Sequence, residues 1–404
     1  MDLRLIATCP EETKDVLVRE LEALGAQGIE PLYRAVAFTA SERVYYEAHL
    51  KLRSASRILR VLREMPAHTP EMLYSQARRI PWYDYFDVKR PYLIDSVQAD
   101  RGPEFMTSNE IGKRVREALQ DVFYRHQGEV PKVDLKEPKV VIVAFCHKGR
   151  AVISLDTAGK TLHKRGYRLE GHPAPIKETL AAALLEMVGY DGTQAFLDPM
   201  CGSGTIAIEA AMIALGKAPL IHRKKGEFLL EWLADFDKDL WRDVQEEARQ
   251  LKRETPPAPI VASDINGNFV ELARKNALRA RVERYLSFDV KPFQEVTPPS
   301  ETGLLLTNMP YGERLEGGEE QLKTLYREIG DTLKQRFSGW RCCLLVNAAS
   351  PYKFIGLRPT RRIPILNGSI ACKLLVFDIY AGSRKAKHLE GEQAEETAEP
   401  ASQA

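Results

Sequence analysis

Along its first half the chain alternates short apolar runs of period two with longer stretches of period 3.6. Residues 3–8 (LRLIAT) pattern as a strand, and residues 11–24 place apolar side chains at helical spacing up to Gly25, a residue suited to close a helix. Residues 36–39 predict a second strand. Residues 41–52 predict a helix capped by Ser41, followed by a β-rich run at 57–63. A second unit follows, with a helix at 71–78, a strand at 92–98 and a long amphipathic helix at 108–126 capped by Ser108. Residues 140–145 and 151–155 then pair as a hairpin across His147-Lys148-Gly149-Arg150, a turn not of the tightest two-residue types. Residues 156–175 are broken by Gly and Pro and crowded with basic side chains, which predicts a linker.

From residue 176 the rhythm becomes helix and short apolar strand in alternation. The strands are expected at 195–197, 260–263, 304–307 and 342–346, with a last one at 373–380. Apolar runs separated by helices predict a doubly wound, mostly parallel α/β sheet of Rossmann-like type, preceded by an α+β region. Residues 217–259 read as a helical, charged insertion in that domain. The tail from 383 to 404 is rich in glutamate and alanine and is expected to be disordered.

Composition narrows the function classes. The 404 residues are 44% hydrophobic and 28% charged, as in a globular protein, and exceed what one core usually serves. The formal charge is only +2, so nucleic-acid contacts must come from local basic clusters. The six cysteines form no Cys-x-x-Cys pair and no spacing of a zinc site, so no metal is implied. The N-terminal segment carries acids where a signal peptide needs an apolar run, and no stretch reaches the roughly 20 apolar residues of a membrane span, so a cytoplasmic protein with no membrane partner is expected.

The sharpest chemical feature is Phe196-Leu197-Asp198-Pro199-Met200-Cys201-Gly202-Ser203-Gly204-Thr205. A strand runs into a two-glycine turn that opens a helix. Glycine permits close backbone approach and positive φ, and the helix start presents N–H groups to a ligand. The glycines fall short of the dinucleotide pattern, and the next acid at a strand end, Asp264, lies 60 positions past Gly204 rather than about 20. A carboxylate there can accept both hydroxyls of a ribose. Asp289, closing the following strand-like run, can accept from an adenine amino group. Each acid has a purely structural reading, Asp264 as the cap of a helix over 266–278 among them. Three acids at three consecutive strand ends beside Gly-x-Gly point together to a nucleoside site. Cys201 lies against the same turn with no general base in view, so it is not read as a nucleophile.

Asn308-Met309-Pro310-Tyr311-Gly312 follows the apolar run at 304–306, at the carboxyl edge of the expected sheet. The residue types suit methylation of an amine on an aromatic base, whose lone pair is delocalised into the ring. Two acceptors, the Asn308 side-chain oxygen and the Met309 backbone carbonyl, would hold both N–H bonds and favour the geometry of attack. Tyr311 can stack on an extruded base, and Pro310 restricts the backbone that carries it.

These two motifs together resemble the class I methyltransferases that carry an N-terminal THUMP domain. Leu162-His163-x-Arg165-Gly166-Tyr167-Arg168 with Ala174-Pro175-Ile176-Lys177-Glu178, the opening Ala7-Thr8-Cys9-Pro10, and Leu52-Arg53-Ser54-Ala55-Ser56-Arg57 are also similar to that family. The resemblance spans residues 1 to 382 and is nearest to the bacterial enzymes that make N2-methylguanosine in large-subunit ribosomal RNA, with the tRNA guanine-N2 enzymes close behind. It implies a ferredoxin-like unit (1–65), a THUMP RNA-binding domain (66–156), a linker (157–175) and a Rossmann-like methyltransferase domain (176–382). It implies S-adenosylmethionine contacts at Asp198, Pro199, Cys201, Gly202, Ser203, Gly204, Thr205, Asp264, Ile265, Asp289 and Asn308, and catalysis at Asn308, Met309, Pro310 and Tyr311. The family usually has a second proline where this chain has Met309, which should loosen the loop.

Three basic clusters are candidates for RNA: His163, Lys164, Arg165 and Arg168 around Tyr167; His222, Arg223, Lys224 and Lys225 in the insertion; and Arg358, Arg361 and Arg362 near the expected substrate edge. The expected partner is RNA, ribosomal ahead of transfer RNA. Other readings are methylation of DNA adenine or of a protein glutamine, for which a similar Asn-Pro-Pro-Tyr turn serves, and an RNA-binding assembly factor without activity.

Overall fold

Strand β1 (Leu3–Thr8) leads through a 3-10 turn into α1 (Lys14–Ala23). The helix stops where expected, at Gly25, whose φ of 82° lets its N–H reach Glu22 and the N–H of Ala26 reach Leu21. Then come β2 (Gln27–Leu32), β3 (Ala35–Ala40), α2 (Glu42–Lys51) and β4 (Arg57–Pro66). The Ser41 hydroxyl caps α2 by accepting from the Val44 N–H. Strand β2 carries no buried side chain, so its pattern gives no amphipathic signal; it is an edge strand made by pairing with β3. The computed structural model describes residues 2–102, 106–169, 176–310 and 318–380.

The second α+β segment runs α3 (Pro70–Ala77), β5 (Tyr92–Gln98), α4 (Ser108–Gln127), β6 (Val140–His147) and β7 (Arg150–Asp156). Thr107, not Ser108, caps α4, because Glu110 completes a reciprocal capping box with it. The β6–β7 turn is also tighter than expected. His147 pairs with Arg150, and Lys148 and Gly149 both take positive φ (47° and 69°), the two-residue arrangement that matches strand twist. All seven strands join one sheet in the order β2-β3-β1-β4-β7-β6-β5, and helix α5 (Glu178–Met187) follows.

The chain next enters β8 (Ala195–Asp198) and α6 (Thr205–Ala214), then an insertion with helix α7 (Lys238–Gln250). Two compact units result: residues up to Met187 with 215–254, and residues 188–214 with those from 255 onward. The insertion therefore folds with the N-terminal unit. Its Leu220, Ile221, Phe228, Trp241 and Val244 share one core with Leu5, Leu17, Tyr45 and Tyr46. Trp241 packs edge-on to Tyr46 and Phe228 at 5.5 Å each. The expected linker is likewise built in over its described part, since Ala158 and Leu162 are fully buried in that core.

The second unit continues with β9 (Ile260–Asp264), α8 (Gly267–Arg279), β10 (Ser287–Val290), β11 (Gly303–Asn308), α9 (Gly318–Arg336), β12 (Trp340–Asn347), β13 (Arg361–Asn367) and β14 (Ile370–Asp378). The sheet order is β10-β9-β8-β11-β12-β14-β13, parallel from β10 to β12 and antiparallel through β14. This is the doubly wound sheet the apolar runs predict. Its strand order reverses between β8 and β11, where such sheets open a crevice at their carboxyl ends. Strand β13, read from sequence only as a basic cluster, is an edge strand. Among the described residues no helix is long and apolar enough to cross a membrane.

Candidate active site

The glycine corner sits at the carboxyl end of β8. Asp198 is 1% exposed, and burial pushes its carboxyl up to about 7. Its Oδ1 accepts from the Thr307 hydroxyl at 2.7 Å and from the Met200 N–H at 3.4 Å. Gly202 and Gly204 take φ of 51° and 80°, which only glycine adopts cheaply. At Gly204 a Cβ would lie 2.8 Å from the Cβ of Ala273 on α8, so the turn and that helix touch backbone to side chain. At Gly202 a Cβ would meet nothing within 4 Å; this glycine borders open space. The turn is further tied by the Asn276 amide, which donates to the Ser203 carbonyl at 2.9 Å, and by the Cys201 N–H, which donates to Ser263 at 2.9 Å.

Asp264 closes β9 beside this turn. Its Oδ2 accepts from the Gly202 N–H at 2.9 Å and its Oδ1 from the Asn266 N–H at 3.0 Å. Asn266, rather than Asp264, caps α8. Each Asp264 oxygen keeps a lone pair, enough for two ribose hydroxyls. Asp289 on β10 aligns with Ser263 of β9 and is half-buried in an ion pair with Lys291 at 3.0 Å. Ile265 and Val290, at the ends of the same two strands, are 72% and 60% exposed. Two apolar side chains held in water beside two carboxylates make the rim a planar base would cover. The residues present thus fit an adenosyl group: open space at Gly202, acceptors at Asp264 and Asp289, and apolar cover at Ile265 and Val290. Pro199, Cys201, Ser203 and Thr205 are buried within or under the turn. Burial holds the Cys201 thiol well above its ordinary range, so it stays protonated and is no nucleophile.

The second corner ends β11. Asn308 is the last residue of that strand, half-buried and aligned with Leu345 of β12. Met309 is 1% exposed within a core that includes Leu305, Leu322, Tyr326 and Leu344. Pro310 is half-buried, and Tyr311 lies outside the described residues. The two corners are on neighbouring strands of one sheet, either side of the point where strand order reverses. Among the described residues no group of three or more His, Cys, Asp or Glu could hold a metal ion.

A family model for the RMKL-like methyltransferase domain matches residues 165–375, one for the RlmL ferredoxin-like domain residues 4–59, and one for the THUMP domain residues 67–156. The chain is 34% identical over 374 residues to a Synechocystis protein named "Putative RNA methyltransferase slr0064", covering 93% of this chain and 96% of that one. The chain belongs to the THUMP-domain-containing class I S-adenosylmethionine-dependent RNA methyltransferases. It is also 37% identical over 381 residues to the "Ribosomal RNA large subunit methyltransferase K/L" of Methylococcus capsulatus, covering 92% of this chain but 51% of that one. The chain spans about half the length of the K/L relatives it matches. A solved structure described as "SMU.472, a putative methyltransferase complexed with SAH" superposes with a TM-score of 0.85 at 28% identity, covering 95% of this chain and 99% of that one.

The basic clusters fare differently. Arg165 is 7% exposed and donates to the carbonyls of Leu162 and Arg53, both at 2.6 Å. Tyr167 is 2% exposed. Arg168 bonds the Ile176 carbonyl and pairs with Glu178 at 3.5 Å. Arg165 and Arg168 are thus joints of the N-terminal unit, and Tyr167 is buried within it. Burial, then the nearby cations, lowers the His163 pKa to about 4, so it is neutral at pH 7. Lys164 alone of that cluster is exposed. Arg223 is internal too, donating to the carbonyls of Ala158, Lys160 and Thr161. Arg361 and Arg362 are exposed on β13, level through β14 with Cys343 and Leu344 of β12. They open the edge strand β13, and Arg362 is level across the sheet with Leu344, the partner of Thr307, one rung short of Asn308.

Thr307, Asn276 and Val290 belong to the site but do not stand out along the sequence. Thr307 directly precedes Asn308 and ends an apolar run, a signal in hindsight. Asn276 acts through Ser203, far along the chain, and Val290 reaches the rim only because β10 lies beside β9.

Proposed function

We propose that this chain transfers the methyl group of S-adenosylmethionine to the exocyclic N2 amine of a guanosine in structured RNA, with large-subunit (23S) ribosomal RNA as the substrate and the cytoplasm as the place. The observation that carries the reading is the placement of Asn308 one strand from the glycine corner, at the point where the strand order reverses. The names of the K/L relatives and the THUMP match support ribosomal RNA. The N2 position follows from the resemblance of Asn308 to Tyr311 to the guanine-N2 enzymes.

When bound, S-adenosylmethionine supplies a methyl already activated on a positive sulfonium, so the acceptor amine needs orientation more than deprotonation. Asn308 Oδ1 and the Met309 carbonyl accept its two N–H bonds and align the nitrogen lone pair. Asp264 holds the ribose of the donor and Asp289 the adenine amine. Holding both partners in line lowers the barrier by about 7–11 kcal/mol at most.

The test supplies the purified chain and labelled S-adenosylmethionine with ribosomal RNA, transfer RNA, duplex DNA and a protein extract. Label should enter ribosomal RNA, with N2-methylguanosine found by nucleoside mass spectrometry. Asn308→Ala should abolish transfer while calorimetry shows the cofactor still bound. Asp264→Ala should weaken cofactor binding at least tenfold. Label confined to DNA, protein or transfer RNA, or turnover retained by Asn308→Ala, would overturn the reading.

A further inference from the structure

The parallel ladder between β8 and β11 stops at the pair Leu197–Leu305. Beyond it the strands part. β8 bends into the glycine corner, while β11 continues along β12 as far as Asn308. Across the opening runs the bond from the Thr307 hydroxyl to Asp198 Oδ1, at 2.7 Å. Both side chains are buried, at 0% and 1% exposure, so no water competes for either partner. The same oxygen takes the Met200 N–H, two residues before Gly202. One carboxyl oxygen thus grips the strand that delivers Asn308 and the turn that faces the donor.

We propose that Thr307 is a positioning residue for methyl transfer, its hydroxyl setting through Asp198 the separation between the glycine corner and Asn308. The inference rests on the reading that the methyl crosses between these corners. Its physical basis is the steep dependence of transfer on alignment: a misplacement of about 1 Å costs on the order of 100-fold in rate. A hydroxyl that merely satisfied a buried carboxyl would matter for stability and for cofactor affinity, and not selectively for turnover.

The test compares Thr307→Val, which keeps the shape and removes the donor, with Thr307→Ser, which keeps the donor. Thr307→Val should lower kcat about 10- to 100-fold with cofactor affinity within threefold of wild type, and Thr307→Ser should restore kcat to within threefold. Should Thr307→Val fail to fold, Thr307→Cys replaces it. Its thiol is a weak, long donor, and its kcat should fall about tenfold below that of Thr307→Ser at equal cofactor affinity. Retained kcat in Thr307→Val, kcat equal in the Cys and Ser variants, or a kcat loss matched by an equal loss of cofactor affinity would overturn the proposal. The comparison uses whichever acceptor the wild-type chain methylates, so a failed RNA assignment and a failed role for Thr307 are told apart.

Discussion

The Met309 N–H donates to the Leu345 carbonyl at 2.9 Å, adding a rung to the β11–β12 ladder just past Asn308. A proline has no such donor. Where the resemblance led to the expectation of a looser loop, position 309 itself is held twice, by this bond and by a side chain that is 1% exposed. Met309→Ala should therefore lower stability by about 2–5 kcal/mol through lost packing. Met309→Pro should add about 1–3 kcal/mol for the carbonyl it leaves without its donor. Denaturant titration of both variants checks this; a Met309→Pro variant as stable as wild type would contradict it.

Gly202 and Gly204 share a conformation but not an environment. Alanine at 204 meets Ala273 at 2.8 Å in addition to adopting φ of 80°. It should cost about 1–2 kcal/mol for the left-handed backbone and about 1–3 kcal/mol for overpacking. Alanine at 202 pays only the backbone cost and projects into the open space. Gly204→Ala should thus show the lower unfolding midpoint. Gly202→Ala should show at least a tenfold loss of S-adenosylmethionine affinity at modest cost in stability. Paired melting curves and calorimetry read this ranking, which a reversed order would refute.

Arg223 holds three carbonyls, those of Ala158, Lys160 and Thr161, at 2.6–2.9 Å, and its guanidinium lies 4.7 Å from the Phe228 ring centre. Burial lowers its pKa only to about 10, so it stays charged at neutral pH. Hydrogen bonds to a charged group contribute about 1.5–3 kcal/mol each when their loss strands a buried partner. Arg223→Ala should lower the unfolding midpoint clearly and leave the salt dependence of RNA binding unchanged. Lys164→Ala, at an exposed position, should leave stability within about 0.5 kcal/mol. Equal melting of the two variants would remove the structural role of Arg223.

His49 is fully buried, with Nδ1 2.9 Å from the Tyr45 carbonyl and Nε2 2.9 Å from the Thr157 hydroxyl. Burial lowers its pKa from 6.5 to about 3. A depressed histidine gives stability that is present above its unfolded pKa and lost as pH falls, because the unfolded chain takes up the proton first. The window runs from pH 6.5 down toward 3. Between pH 7 and 5 the melting temperature of the wild type should fall by more than that of His49→Gln, whose side chain does not titrate. Parallel pH dependences in the two proteins would rule out this assignment.

Much of the architecture was written locally. Period-3.6 stripes over α1, α2 and α4, and apolar runs at β8, β9, β11 and β12, each encode which face a segment must bury, and that demand is met wherever the segment lands. The two-glycine turn, Asp264 and Asn308 were legible for the same reason, since a strand end followed by a special backbone or a carboxylate is a short-range pattern. Strands β2 and β13 were not, because β2 buries no side chain and β13 opens on two exposed arginines, so neither shows a buried face until its partner strand lies alongside. Nor could the insertion be placed: Trp241 and Val244 show a buried stripe, but not that Tyr46 lies beneath it. Arg165 and Arg223 read as surface charge until the carbonyls they serve were brought around them. The chain by itself determined most of the buried segments and set a two-glycine turn, an acid and an asparagine at their strand ends. Only the tertiary fold decided which polar groups meet, as Thr307 meets Asp198 across 109 positions, because a hydrogen bond depends on separation in space and leaves no period along the sequence.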